Sequence, residues 1–193
     1  AASDVYKRQS KGYEVILIGH EGHPEVEGTM GRISGDVYLV SNTEDVFKLK
    51  VKNPKKLSYI SQTTLSVDDT KVVIEALKKR FPAIEGPDVK DICYATQNRQ
   101  SAVRDLVDHV NLILVVGAKN SSNSNRLRDL GEESGVDTYL IETADDLDSR
   151  WFDNVESIGI SSGASTPDEL VKEVIKRISS FREVKIEKRP GIE

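Results

Sequence analysis

A single cysteine, Cys93, rules out a disulfide within the chain. On composition alone it reads as a small buried apolar residue. No apolar run approaches the roughly 18 residues a membrane-crossing helix needs, and the start lacks the basic-then-apolar pattern of a secretory signal. The cytoplasm is therefore the expected location. Positive charge is not in surplus either: 27 Lys and Arg stand against 32 Asp and Glu, for a net charge of -5. That balance argues against nucleic-acid binding, which needs a cationic face to displace counterions from phosphates. The short basic runs at Lys52–Lys56 and Lys78–Arg80 read as solvated faces. Three motifs are missing: G-x-G-x-x-G, G-x-x-x-x-G-K-[ST] and H-E-x-x-H. Nucleotide binding loses ground accordingly.

What is present is 193 residues with 37% hydrophobic content, enough for one large or two small domains with real cores. The first nine, AASDVYKRQ, read as neither a helix nor a strand start belonging to the segment after them. DVYKRQ looks like the translation of a sequencing-library adapter, so residues 1–9 are expected to be non-native and are left out of the fold reading. On that expectation Ser10 is an interior position of a longer protein.

An internal repeat organises the remainder. EVILIG (Glu14–Gly19) and LILVVG (Leu112–Gly117) are short, β-branched runs ending in glycine, the signature of buried parallel strands. Each is followed by a polar loop. VYLV (Val37–Val40) with TEDV behind it then matches TYLI (Thr138–Ile141) with TADDL behind it. A third match sets Ser58–Phe81 against Ser157–Phe181 at an offset of about 100 residues, with Ile60 over Ile160 and Asp68 over Asp168. Both closing segments carry helix starts. Ser66 with Asp69 reads as a capping box, and Thr166 with Glu169 does the same, with Pro167 at the first helical position. Strand, polar turn and capped helix, repeated, predict an α/β fold of two quasi-repeated parallel-sheet units.

In open parallel sheets ligands bind beyond the carboxyl ends of the strands. The polar clusters fall there: HPE after the first strand, Gln62–Thr64, Ser121–Asn125 and Ser161–Ser165. Hydroxyl and amide residues at helix amino termini suit phosphate, although Ser, Thr and Asn are also ordinary caps. Two quasi-symmetric units with such loops at every tip favour one anionic site. GHEGHPEVEG (Gly19–Gly28) holds two of the three histidines. His20 ends the buried strand and reads as a satisfied polar residue, whereas His23 and Glu25 are expected to project at the tip. A carboxyl beside bound phosphate is pushed toward its protonated form, so Glu25 is a candidate proton source. The plainer alternative is that Glu25 favours the positive end of the helix after Pro24.

HPEVEGT (His23–Thr29), QTTLSVDDT (Gln62–Thr70), DICYATQNRQ (Asp91–Gln100), SSNSNRL (Ser121–Leu127) and GASTPD (Gly163–Asp168), in this order and spacing, resemble the 4-hydroxy-3-methylbut-2-enyl diphosphate reductases. These are the terminal iron-sulfur enzymes of the methylerythritol phosphate route to isoprenoids. The resemblance runs from about Ser10 to Ser179. It implies three α/β units around a central pocket, with a 4Fe-4S cluster on three cysteines. Residues 10–90 would be the second unit, 91–179 the third and 180–193 a C-terminal tail. Cys93 then looks like a cluster ligand rather than a buried thiol. His23, Ser121, Ser122, Asn123 and Ser165 resemble the residues that hold the substrate diphosphate. Glu25 resembles the proton donor, working with Thr63, and Thr64 lies beside it. The implied reaction is reductive loss of the allylic hydroxyl, giving isopentenyl and dimethylallyl diphosphates, with electrons from a ferredoxin or flavodoxin.

The family's first unit and its other cysteines have no counterpart in the 193 residues. One thiolate cannot hold a cubane that needs three. These residues alone are therefore expected to bind no stable cluster and to be inactive. Two other readings compete: a non-catalytic binding module for a phosphorylated small molecule, and a structural fragment with no ligand.

Overall fold

The computed structural model describes residues 8–33, 35–87 and 94–189. The chain divides into two compact units, residues 1–93 and 94–193. In the first, β1 (Glu14–Ile18), β2 (Val37–Val40) and β3 (Leu57–Ser61) form a fully parallel sheet in the order β2-β1-β3. Among the described residues α1 (Pro24–Met30), α2 (Thr43–Lys48) and α3 (Val67–Arg80) accompany it. In the second, β4 (Leu112–Val116), β5 (Asp137–Ile141) and β6 (Ile158–Ser162) pair in the order β5-β4-β6, again all parallel. Its helices are α4 (Tyr94–Val107), α5 (Ser122–Glu133) and α6 (Asp168–Phe181), with two 3-10 turns at Ala144–Asp146 and Ser149–Phe152. This is the expected α/β architecture of two repeated parallel-sheet units. No described helix is long and apolar enough to cross a membrane.

Apart from Glu14 at the start of β1, the central strands are apolar because both of their faces are covered. Successive side chains of β1 alternate between two cores. Ile16 and Ile18 pack with Val46, Val73 and Leu77 from α2 and α3. Val15 and Leu17 pack with Val26 of α1 and with Ile60. In the second unit Leu112, Leu114 and Val116 meet Val174 and Ile178 of α6, while Ile113 and Val115 meet Val103 of α4 and Leu127 and Leu130 of α5.

Two expectations about the repeat need correction. The closing segments superpose at an offset of 101, not 100: Tyr59 pairs with Ile16 of β1 as Ile160 pairs with Leu114 of β4. Ile60 therefore does not correspond to Ile160. A one-residue slip turns a strand's side chains to the other face. Accordingly Ile60 lies in the core beneath α1, while Ile160 lies in the core beneath α6. The helices agree, since Val73 and Leu77 are buried where Val174 and Ile178 are, so Asp68 aligns with Glu169. The second correction concerns the start of α6. Ser66 Oγ does accept from Asp69 N at 3.3 Å. In α6, however, the N-cap is Pro167, with no side-chain cap bond. The Thr166 hydroxyl turns inward and donates to the Val116 carbonyl at 3.0 Å, closing the end of β4 instead of the helix. At the other end, α6 continues through Phe181, Val184 joins the core, and Arg189 Nη1 meets Asp105 Oδ2 at 2.7 Å.

Candidate active site

In the first unit the tips of β1 and β3 are tied together by one buried amide. Gln62 follows β3 and is 1% exposed. Its N donates to Ile18 O, its Oε1 accepts from His20 N at 3.1 Å, and its Nε2 donates to Thr64 Oγ1 at 2.9 Å. The fit is tight. A Cβ on Gly19 would stand 2.5 Å from Val26 Cγ2 and 3.2 Å from Gln62 Oε1, so the turn after β1 requires glycine for space.

On this frame His23 is the N-cap of α1, and its Nδ1 accepts from Glu25 N at 3.2 Å. A ring nitrogen that accepts carries no proton, so in the neutral imidazole the proton sits on Nε2. Pro24 at the first helical position suits that start. Glu25 then reaches across to β3. Its Oε1 accepts from Thr63 N at 3.0 Å and its Oε2 from Thr63 Oγ1 at 3.1 Å. Two expected site residues 38 positions apart thus form a two-bond pair at the strand tips. His20 is exposed, and the bond that ties it to the frame is made by its backbone N.

In the second unit Ser121 is the N-cap of α5, and its Oγ accepts from Ser124 N at 3.3 Å. Asn125 Nδ2 fastens the loop by donating to Lys119 O (2.7 Å) and Ser121 O (2.9 Å). Lys119 N donates to Glu142 Oε1 at 3.0 Å, linking the tips of β4 and β5. Asn123 is 5% exposed, yet among the described residues neither its Nδ2 nor its Oδ1 has a partner, and the buried Ser124 Oγ also lacks one. Buried amides are rarely left so, and an orphaned amide of this kind marks a place that a ligand or water would complete. Ser124 sits between Gly117 and Gly163, where a Cβ would come within 2.3 and 2.4 Å of its Oγ. Ser165 is exposed in the loop from β6 to α6, and Ser122 is half-buried.

The repeat extends to these positions. His23 and Ser121, both N-caps, are 98 apart, as are Glu25 and Asn123 and the two glycines Gly19 and Gly117. Equivalent places on the two sheets therefore carry a carboxylate in one unit and an amide in the other.

The family model for LytB protein matches residues 1–179. The chain belongs to the LytB family. It is 55% identical over 193 residues to the 4-hydroxy-3-methylbut-2-enyl diphosphate reductase of Pseudoalteromonas translucida, covering 98% of this chain and 62% of that protein. To the reductase of the same name from Shewanella oneidensis it is 56% identical, covering 92% of this chain and 57% of that protein. Among solved structures, the E-1-hydroxy-2-methyl-but-2-enyl-4-diphosphate reductase of Plasmodium falciparum superposes with a TM-score of 0.83 at 36% identity, over 92% of this chain and 57% of that one. The LytB chain thus spans about three fifths of the length of the curated relatives it matches.

Cys93 lies outside the described residues. Among the described residues no three His, Cys, Asp or Glu side chains gather as a metal site. A 4Fe-4S cluster on three thiolates does not fit the donors of this chain, which holds one cysteine in all. Two residues near the strand tips lie outside the expected site set: Gln62 and Arg99. Arg99 Nη1 reaches Ser162 Oγ at 3.4 Å. A signal for it exists in α4, where Thr96, Gln100 and Val103 mark an inward helical face on which Arg99 also falls.

Proposed function

We propose that these residues are part of a 4-hydroxy-3-methylbut-2-enyl diphosphate reductase and supply its second and third α/β units. The allylic hydroxyl is lost as water: two electrons and two protons enter, the C–O bond breaks, and isopentenyl or dimethylallyl diphosphate remains. The observation that carries this reading is the Glu25–Thr63 pair, a carboxyl group held by two bonds against a hydroxyl at the tips of two parallel strands.

The chemistry assigned to this chain follows from that arrangement. Thr63 Oγ1 orients the substrate hydroxyl, and Glu25 passes a proton to the departing oxygen. Protonation makes water, not hydroxide, the leaving group, and a positioned acid of this kind contributes about 10²–10⁴ in rate. His23 binds diphosphate through Nε2–H, since Nδ1 is engaged by the helix it caps. Ser121, Ser122, Asn123 and Ser165 of the second unit bind diphosphate as well, and the partnerless Asn123 amide supports that role. Thr64, whose Oγ1 accepts from Gln62 Nε2, binds substrate beside Thr63. A 4Fe-4S cluster in the whole protein, to which Cys93 would give one thiolate, would supply the electrons, received from a ferredoxin or flavodoxin of the cytoplasm. The other thiolate ligands have no counterpart in these residues.

Two measurements test the reading. Pyrophosphate added to the 193-residue chain is expected to shift the backbone resonances of Ser121–Asn123 and Ser165, and an unmoved spectrum would exclude the diphosphate role. Anaerobic reconstitution with iron and sulfide is expected to yield neither a four-iron cluster nor turnover. A loaded, active chain would overturn the assignment of Cys93 as one ligand of three.

A further inference from the structure

The second unit carries an arginine that the described residues leave uncompensated. Arg126, Arg128, Arg150 and Arg189 each meet a carboxylate. Arg99 meets none among the described residues. Its one bond there is from Nη1 to Ser162 Oγ at 3.4 Å, and its Nε is buried with no partner. The residue is half-buried on the inward face of α4, beside Thr96 and Gln100, which are 3% and 0% exposed. A guanidinium so placed loses hydration without gaining a counter-charge, a costly arrangement unless an anion completes it.

Its position says which anion. Ser162 ends β6, and the loop it opens leads to Ser165. α4 packs with α5 on one face of the sheet, in the core that joins Val103 to Leu127 and Leu130. At the first turn of α5 lies Asn123, whose buried amide is also unpartnered. An unneutralised cation and an unsatisfied amide therefore share the carboxyl end of one sheet. A phosphate group answers both needs, since its oxygens accept hydrogen bonds and its charge offsets the guanidinium.

We propose that Arg99 supplies the positive charge that balances the diphosphate in the second unit, with Ser162 holding it at the tip of β6. This rests on the diphosphate reading above and adds to it a residue that acts through charge. The test is titration of the 193-residue chain with inorganic pyrophosphate by calorimetry, for wild type, Arg99→Gln, Arg99→Lys and Asn123→Ala. Arg99→Gln is expected to bind roughly tenfold more weakly, the scale of one partly screened charge pair, and to show a shallower salt dependence. Arg99→Lys is expected to stay within about threefold of wild type, because it keeps the charge while losing the fork. If both Arg99 variants match wild type while Asn123→Ala weakens binding, this inference falls and the diphosphate reading stands. If the two variants weaken equally, the role is packing and the inference also falls. If the wild-type chain does not bind pyrophosphate, both fall. Should Arg99→Gln fold too poorly to titrate, Ser162→Ala decides, since it frees the tether and leaves every charge in place. About threefold weaker binding supports the assignment, and unchanged binding overturns it.

Discussion

The two units share a fold, yet their strand tips are finished differently. In the first, polar groups close on one another: Gln62 uses both ends of its amide, and Glu25 uses both oxygens on Thr63. In the second, Asn123, Ser124 and Arg99 Nε are left buried and unsatisfied among the described residues. A tip closed on itself is preorganised, holding a reactive group in one geometry before anything binds. An unsatisfied tip is finished by its ligand. On the proposed reading the first unit's tip holds the proton donor and the second's is completed by diphosphate, although the backbone scaffolds are copies.

The largest expected effect strikes that division most directly. In the cluster-loaded full-length protein, Glu25→Ala is expected to lower turnover by about 10²–10⁴, whereas Ser165→Ala raises KM and leaves kcat nearly unchanged. Anaerobic steady-state assays read both values, and a kcat defect of equal size in Ser165→Ala would dissolve the contrast. Next in size is a stability difference between the two buried amides. Gln62→Leu strands His20 N and removes a partner of Thr64, at a cost of about 2–3 kcal/mol. Asn123→Leu removes an amide that has no bond to lose, so its urea midpoint is expected to match or exceed wild type. Asn123→Leu destabilised as much as Gln62→Leu would show that the second tip is satisfied in solution.

Glycine substitutions probe the same contrast at a finer scale. Gly19→Ala meets Val26 Cγ2, a branched side chain fixed in χ1 on α1, and is expected to destabilise by about 1–3 kcal/mol. Gly117→Ala meets Ser124 Oγ, which has no bond to give up, and beyond it only Ser124 Cβ at 3.0 Å and Thr166 Oγ1 at 3.3 Å, so its thermal midpoint should fall less. The reverse ranking would mean that a hydrogen bond holds the Ser124 hydroxyl in place.

The smallest effect concerns acid. Glu14 is buried at the start of β1. Desolvation raises its pKa, but bonds from Tyr38 OH, Lys52 N and Asn53 N outweigh that and hold it below the ordinary 4.5, while Tyr38 is pushed up to about 12. A carboxyl group whose folded value is depressed stabilises fully above its unfolded value. That contribution fades as the pH drops below 4.5 and through the lowered folded value. The equivalent residue in the second unit is Leu112, which cannot titrate. Hydrogen exchange at falling pH is thus expected to open β1 before β4, and Glu14→Gln to remove the difference.

Much of the scaffold is legible in the sequence because its signals are local. An apolar run ending in glycine marks β1 and β4, and helical spacing with a serine ahead of it marks α3. The same locality misplaces the repeat by one residue. Matching Ile60 to Ile160 pairs like with like, while the register is set by which face each side chain buries, a property of the sheet. Thr166 misleads for a related reason: its hydroxyl can accept from a first-turn amide or donate to a carbonyl, and only the fold brings Val116 O near it.

The amino-acid order by itself determined two parallel α/β units, polar loops at every strand tip, and a family resemblance carried by five short motifs. Those features follow from periodicity and from residue types fixed within a few positions of one another. The tertiary structure decided which polar groups find partners. Glu25 meets Thr63 across 38 residues, Gln62 joins two tips, and the Arg99 Nε and the Asn123 amide meet no countergroup among the described residues. Whether a buried polar atom is satisfied depends on atoms brought together by parallel strand pairing, which no stretch of sequence contains.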